Sequence, residues 1–200
     1  MIEQQEVKAY YAKWEKILRP ICRILYPTTV HGAEHIIDKP CIICINHSNY
    51  IDPILVALAF TSNHIIHFMA KIELFRMNDW FTSHLERLGA FGVDRDGTDI
   101  SAIRTVMKYI RAGEMVGIFP EGTRVKHDGE VEAKSGAARI AAKLRVPVVP
   151  VYLSRNKWLF RRVHIVIGEP ITVPNGPDTD YQAVTNDIME TIAALGRSVK

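Results

Sequence analysis

Short apolar runs alternate along this chain with segments of helical periodicity, and this alternation limits the fold more than any other feature. Strands are predicted at residues 41–45, 65–70, 90–93, 115–119, 146–153 and 163–168. Helices are predicted at residues 53–61, 73–88, 98–112, 135–144 and 180–195. Such alternation is typical of an α/β domain in which helices flank a mostly parallel sheet. We therefore expect one α/β domain over residues 29–200, with functional loops beyond the carboxyl ends of its strands.

Residues 1–28 have a different pattern, which predicts a separate N-terminal helical segment. Apolar residues recur at helical spacing between Trp14 and Leu25, with lysines and arginines between them. Pro20 interrupts the pattern, so we expect a kink or two shorter helices. The segment is interpreted as an amphipathic helix in contact with a membrane surface or, equally well, as a helix packed on the sheet with solvated lysines.

Charge and hydropathy limit the partners of the chain. The net charge of +3 is too small to indicate a nucleic-acid partner, but it is compatible with an anionic phospholipid headgroup. No apolar stretch approaches the roughly 18 residues that span a bilayer, so we expect any membrane contact to be peripheral.

The three cysteines, Cys22, Cys41 and Cys44, do not form a disulfide framework, which favours a reducing cytoplasm. Cys41 and Cys44 have the spacing of a redox pair but lie in a predicted strand. Successive side chains of a strand alternate in direction, so these two would face opposite sides of the sheet. We expect them to be buried and apolar in character.

The stretch INHSNYIDP, residues 45–53, places a histidine and an aspartate five residues apart. His47 follows the strand at 41–45, and Asp52 precedes Pro53, which suits the first turn of a helix. A tight loop would return Asp52 to His47, fix the imidazole tautomer and leave the other ring nitrogen as a general base. Alternatively, Asp52 only caps the helix and His47 is an ordinary loop residue. The two roles are compatible, because a carboxylate has two oxygens.

Polar turns follow other predicted strands as well. In IFPEGTR, residues 118–124, the turn residues present Glu121, Thr123 and Arg124 at the end of a strand, and an arginine there is suited to bind phosphate. Lys71 follows the strand at 65–70, and Arg95 follows the strand at 90–93. If these strands are parallel, the three cations lie on the same side of the sheet as the histidine. The sequence thus predicts a cationic pocket beside a base.

The block NHSNYIDP, followed in order by GVDRDG, FPEGTR and VPVVPV, resembles the glycerolipid acyltransferase family over about residues 30–170. The resemblance implies transfer of a fatty acyl group from a thioester of acyl carrier protein or coenzyme A. The acceptor would be the hydroxyl of 1-acylglycerol 3-phosphate (lysophosphatidic acid), and the product would be phosphatidic acid. It implies His47 as the base, Asp52 as the group that orients it, and neither a cofactor nor a metal ion.

The same resemblance assigns the acceptor-binding residues: Lys71, Arg95, Glu121, Gly122, Thr123 and Arg124. It is compatible with a peripheral protein at the cytoplasmic face of the cell membrane. The stretch RNKWLFRR, residues 155–162, suits a headgroup interface or an acidic acyl carrier protein, and it is equally well an edge segment with solvated charges.

Other functions remain open from the sequence. Within the family, the acceptor could instead be glycerol 3-phosphate or another lysophospholipid. A thioesterase would use His47 to activate water, and a non-catalytic phospholipid-binding module would use His47 and Asp52 only structurally.

Overall fold

The computed structural model describes residues 4–60, 65–93 and 100–199. Its helices are α1 (Gln4–Leu25), α2 (Asp52–Ala59), α3 (Asp79–Arg87), α4 (Ile100–Arg111), α5 (Gly136–Leu144) and α6 (Tyr181–Arg197). Short 3₁₀ helices cover Ala33–His35 and Ile72–Arg76. Its strands are β1 (Thr28–His31), β2 (Ile42–Ile45), β3 (Ile66–Lys71), β4 (Phe91–Val93), β5 (Met115–Ile118), β6 (Val148–Leu153) and β7 (Val163–Ile167).

The described residues form a seven-stranded sheet in the order β1-β7-β6-β2-β5-β3-β4. The strands from β6 to β4 in this order pair in parallel. β7 is antiparallel to β6, and β1 is parallel to β7, so these two strands run the opposite way. The prediction of a mostly parallel sheet flanked by helices is confirmed. The antiparallel pair needs no crossover helix, and the short segment 154–162 joins its strands.

The side chains of β2 alternate between hydrophobic cores on the two faces of the sheet. Ile42 and Cys44 pack with residues of α4, α5 and α6, whereas Ile43 and Cys41 lie on the face covered by α1 and α2. The result is a three-layer α/β/α arrangement. Cys41 and Cys44 are buried free thiols on opposite faces, as the strand pattern predicts.

The order of the strands determines where the functional loops meet. β6, β2, β5 and β3 are neighbours and parallel, so their carboxyl ends lie along one edge of the sheet. The segments that follow these ends are 154–157, 46–51, 119–124 and the end of β3 at Lys71. Residues distant in the sequence are therefore brought together at this edge.

Strand β1 lies outside the predicted strands. Its sequence, TTVH, contains a single strongly apolar residue, so no apolar run marks it. It forms by pairing with β7, with Thr28 opposite Val163, and the N–H of Val163 donates a 2.8 Å hydrogen bond to the carbonyl of Pro27. Pairing with a distant strand, not local preference, makes this segment extended.

Two predicted helices differ from the structure. Helix α1 continues through Pro20, so the prediction of two shorter helices is wrong. Its side chains Tyr11 and Cys22 are buried, and this packing offsets the hydrogen bond that a proline cannot donate. The predicted helix at 73–88 is divided, because Asn78 starts α3 by accepting a 2.7 Å hydrogen bond from the N–H of Phe81.

Candidate active site

The loop after β2 returns Asp52 to His47. Nδ1 of His47 lies 2.9 Å from Oδ2 of Asp52, and the same oxygen accepts hydrogen bonds from the N–H groups of Ser48 (2.7 Å) and Asn49 (2.8 Å). The Asp52 side chain is 0% exposed and that of His47 is 14% exposed. A carboxylate on Nδ1 keeps the proton on that nitrogen and the lone pair on Nε2. The arrangement thus presents an imidazole that can accept a proton through Nε2.

The carboxylate of Asp52 serves this loop and does not cap the helix. Helix α2 begins at Asp52 itself, Ile51 is its cap residue, and no side chain caps it by a hydrogen bond. The interpretation of Asp52 as only a helix cap is therefore wrong. The carboxylate turns back toward the preceding loop because two main-chain N–H groups and the imidazole converge on one of its oxygens.

The surroundings of Asp52 keep it ionised. Burial alone would raise the pKa of Asp52, but the hydrogen bond from His47, the ammonium of Lys157 and the N–H groups of Ser48 and Asn49 hold it below its usual value. An ionised carboxylate at this position stabilises a protonated imidazole ring. The pair can accept a proton and release it again during a reaction.

The turn after β5 packs against His47 and forms hydrogen bonds with its main chain. The ring of His47 stacks on Phe119, with centroids 4.1 Å apart and planes inclined by 27°. The N–H of His47 donates a 2.6 Å hydrogen bond to Oε2 of Glu121, and the carbonyl of His47 accepts a 2.9 Å hydrogen bond from the N–H of Val125. Gly122 has φ +65°, a conformation that glycine adopts without strain. The two loops thus fix each other.

Glu121 is buried between the loops after β2 and β6 and is not among the residues of the cavity wall. Its side chain is 3% exposed, and its other oxygen, Oε1, accepts a 2.5 Å hydrogen bond from Nη2 of Arg155. Both oxygens are therefore engaged within the protein. In this geometry neither oxygen is available to an acceptor substrate, and one of them instead holds the main-chain N–H of His47.

The segment after β6 supplies two charged residues that the sequence does not reveal as part of the site. Arg155 donates hydrogen bonds to Glu121 and Asp128, and Nζ of Lys157 lies 3.0 Å from Oδ1 of Asp52. Their side chains are 8% and 0% exposed, so the interpretation of these two residues as part of a headgroup interface is wrong. Their position in the sequence could have revealed them as site residues, because residues 155–157 follow the end of a strand, as the other site loops do.

A cavity of about 540 Å³ opens beside His47. Its walls are largely apolar and come from α1, α2, α3 and β3; they include Leu18, Ile54, Leu58, Ile66, Phe68 and Leu85. Tyr50, Lys71, Thr123 and Arg124 also line it and are exposed, whereas Ile66 is buried. The cavity therefore has a polar, solvent-facing end and an apolar inner end. This volume lies within the usual range for small-molecule sites.

The predicted site residues are brought together in part. His47, Lys71, Thr123 and Arg124 line the same cavity, and the guanidinium of Arg124 lies 3.6 Å from the ring centroid of Tyr50. Arg95 lies outside the described residues. Within residues 4–60, 65–93 and 100–199, no group of three or more histidine, cysteine, aspartate and glutamate side chains is arranged to hold a metal ion.

Comparison with known proteins identifies the family. A sequence model of the family described as Acyltransferase matches residues 27–154, which include the loops after β2 and β5 and the strand β6. The chain belongs to this family. The match begins just before β1 and ends just after β6, so it contains the His47–Asp52 pair but not Lys157.

Individual relatives agree with this assignment. The chain is 40% identical over 148 residues to the 1-acyl-sn-glycerol-3-phosphate acyltransferase of Bacillus subtilis (strain 168), covering 71% of this chain and 72% of that protein. It is 25% identical to the probable 1-acyl-sn-glycerol-3-phosphate acyltransferase of Mycoplasma pneumoniae, covering 90% and 77%. The crystal structure of the 1-acyl-sn-glycerophosphate acyltransferase PlsC from Thermotoga maritima superposes with a TM-score of 0.72 at 23% identity, covering 100% of this chain and 84% of that one. That similarity shows a shared fold.

Proposed function

We propose that the protein transfers a fatty acyl group from an acyl thioester to the sn-2 hydroxyl of 1-acylglycerol 3-phosphate, giving phosphatidic acid. The observation that carries the proposal is the position of His47 on an apolar cavity whose exposed end holds Lys71 and Arg124. The apolar walls suit an acyl chain, and the two cations suit a phosphate. The names of the relatives in Bacillus subtilis and Mycoplasma pneumoniae support the same reaction.

The chemistry follows from the His47–Asp52 pair. Nε2 of His47 takes the proton of the acceptor hydroxyl while that oxygen attacks the carbonyl carbon of the thioester. The tetrahedral intermediate collapses as the new ester C–O bond is retained and the C–S bond breaks. The imidazolium then returns its proton to the departing thiolate. Asp52 holds Nδ1 and stabilises the imidazolium, as the aspartate of a serine-hydrolase triad does.

The acceptor phosphate would bind at the exposed end of the cavity. Lys71 and Arg124 are the described cations there, and the family resemblance adds Arg95. Thr123 lines the same end and supplies a hydroxyl donor. We assign Gly122 a conformational role, since its positive φ lets the turn present its two following residues to the cavity.

The acyl donor in this proposal is a thioester of acyl carrier protein or of coenzyme A. Either donor carries the same reacting carbonyl and the same thiolate leaving group, so the step at His47 does not depend on which is used. The thioester is a substrate. Every step above uses side chains of the protein and needs neither a metal ion nor a cofactor.

A surface that we call the apolar patch supports peripheral attachment to the cytoplasmic face of the cell membrane. Its exposed side chains come from α1 and from the segment between β6 and β7: Ile17, Ile21, Ile24, Trp158, Leu159 and Phe160. The N–H of Phe160 donates a 2.7 Å hydrogen bond to the carbonyl of Leu25, so the two parts adjoin. The exposed Arg161 and Arg162 follow directly and suit anionic headgroups.

From the position of the apolar patch we propose different roles for residues 1–28 and for the domain at residues 29–200. Residues 1–28 would contact the membrane through one face of α1, while buried residues of its other face pack on the domain at residues 29–200. None of the helices in the described ranges is both long and apolar enough to cross a bilayer.

The test of the proposed function is a transfer assay on anionic vesicles with and without lysophosphatidic acid. We expect thiol release and phosphatidic acid formation to require the acceptor. Thiol release without the acceptor would indicate a thioesterase, and transfer only to glycerol 3-phosphate or another lysophospholipid would correct the acceptor. Vesicle binding with no thiol release would indicate a binding module.

Variants of two histidines complete this test. His47→Ala should lower kcat about 10²- to 10⁴-fold, the usual contribution of a general base. The control is His127→Ala, because the His127 side chain is 83% exposed and lies outside the cavity wall. Equal activity of the two variants would refute the assignment of His47 as the base.

A further inference from the structure

Lys157 is buried against the carboxylate that orients the base. Its Nζ lies 3.0 Å from Oδ1 of Asp52, and both side chains are 0% exposed. The ammonium also donates a 2.7 Å hydrogen bond to Oγ of Ser48 and another to the carbonyl of Ser154. A single lysine thus links the segment after β6 to both ends of the loop that carries His47.

Burying the charged ammonium of a lysine in this position costs free energy. Burial disfavours the ammonium and lowers the pKa of Lys157, while the charge and hydrogen bonding of Asp52 act in the opposite direction. Lysine is almost never fully buried unless it is paired. Lys157 is absent from the wall of the cavity, so contact with a substrate does not account for it.

The two oxygens of Asp52 have different partners. Oδ2 accepts hydrogen bonds from His47, Ser48 and Asn49, whereas Lys157 is the cation beside Oδ1. Without that cation, a buried carboxylate would be compensated mainly by the imidazolium form of His47. That form has no lone pair on Nε2 and cannot act as a base.

We infer that Lys157 is a positioning residue that compensates the charge of Asp52 and so keeps His47 in its neutral, proton-accepting form. This inference rests on the proposed function, because it assigns a role in the same transfer reaction. Lys157 also contacts both Asp52 and Ser48. Removal of its side chain would therefore loosen the His47–Asp52 contact.

The other charged groups near His47 and Asp52 do not compensate the Asp52 carboxylate. Glu121, which accepts a hydrogen bond from the N–H of His47, is paired with Arg155, and Arg155 also contacts Asp128. From the cavity side, the charged or titratable groups are Glu15 and His84 on the helices, Lys71 after β3, and Arg124 after β5, with Tyr11 and Tyr50 as phenols. Among the described residues, the only ion pair of Asp52 besides His47 is with Lys157.

The test compares Lys157→Met, which removes the charge at similar length, with Lys157→Arg, which retains it. NMR of ring-labelled histidine, assigned with His47→Gln, follows protonation of His47 without any substrate. Lys157→Met should move the protonation midpoint and the acidic limb of the pH–rate profile upward by about one pH unit or more. For a shift of one pH unit, kcat should fall about tenfold at pH values below both midpoints and less at higher pH. KM for the acceptor should change less than about twofold. Lys157→Arg should restore the wild-type midpoint.

Controls separate the possible failures. Lys143→Met, at an exposed position on α5, should match wild type. An unchanged midpoint in folded Lys157→Met, or an increase in KM alone, would overturn the inference. If Lys157→Met does not fold, the double variant with Asp52→Asn should be more stable, because the unpaired carboxylate is gone; equal instability would also overturn it. A wild type that performs no transfer refutes the proposed function, while the NMR titration still decides the role of Lys157.

Discussion

The main-chain N–H of His47 donates a 2.6 Å hydrogen bond to Oε2 of Glu121, 74 residues further along the chain. The other oxygen of Glu121 accepts a hydrogen bond from Arg155, which lies in the segment after β6. Three loops at the ends of three adjacent strands are thereby joined through one buried carboxylate. The geometry of the base depends on this connection as well as on Asp52.

Removal of Glu121 should destabilise the fold strongly. Glu121→Ala removes the buried partner of the Arg155 guanidinium, which is 8% exposed and keeps only the half-exposed Asp128. Breaking a buried ion pair costs about 3–5 kcal/mol. Urea denaturation measures the free energy of unfolding. The matched control is Glu190→Ala, which breaks an exposed pair with Arg197 and should cost less than about 1 kcal/mol. Similar losses in the two variants would contradict the buried role.

Substitution of the cations at the cavity should weaken acceptor binding. Arg124→Met and Lys71→Met each remove a charge from the exposed end, and loss of a charged hydrogen bond typically costs about 1.5–3 kcal/mol. We expect KM for lysophosphatidic acid to rise about tenfold or more, with a smaller change in kcat. Initial rates at varied acceptor concentration measure both parameters. Arg111→Met, at an exposed position on α4, is the control, and an unchanged acceptor KM in both test variants would exclude the phosphate assignment.

Acid should remove the stabilising contribution of Asp52. Its folded-state pKa is lowered, despite burial, by His47, Lys157 and main-chain N–H groups. A lowered carboxyl pKa contributes stability that is fully present above the unfolded value of about 3.9 and is lost as the pH falls through the folded value. The difference in unfolding free energy between wild type and Asp52→Asn should therefore be largest near neutral pH and shrink below about pH 4. Urea titrations from pH 7 to pH 3 measure it. A difference that grows on acidification would contradict this sign.

The buried cysteines should resist alkylation in the native protein. Burial raises the pKa of Cys41 and that of Cys44 to about 12 each, so about one molecule in 10⁴ carries the reactive thiolate at pH 8. Iodoacetamide labelling followed by peptide mass spectrometry should leave both unmodified in the native state. All three cysteines should react in denaturant. Rapid native labelling of Cys41 or Cys44 would show that the core opens readily.

Polar substitutions in the apolar patch should reduce vesicle binding without removing the chemistry. Trp158 and Phe160 are 72% and 67% exposed, and insertion of one large side chain into an apolar environment contributes about 1.5–3 kcal/mol. Trp158→Ser with Phe160→Ser should lower partitioning onto anionic vesicles at least tenfold in a sedimentation assay. Activity on a short-chain, water-soluble acceptor should persist. Val131→Ser is the control, since Val131 is exposed but lies outside the apolar patch; equal binding by all three proteins would place the membrane contact elsewhere.

The sequence predicts the fold where local patterns are strong. The apolar run at 41–45 predicts β2 because its residues are buried on both faces of a parallel strand, as the structure confirms. It misses β1, whose sequence carries no such run, and it does not give the reversed direction of β7. Both features arise from pairing between strands that are far apart in the sequence.

The same distinction applies to the candidate site. By itself the sequence determined the family blocks, the loop that joins His47 to Asp52, and the turn that carries Arg124, because each is encoded within a few neighbouring residues. Only the tertiary structure placed Lys157 against Asp52 and Arg155 against Glu121. These pairs form because β6 lies beside β2 in the sheet, and strand order is set by packing of the whole chain and not by any local pattern.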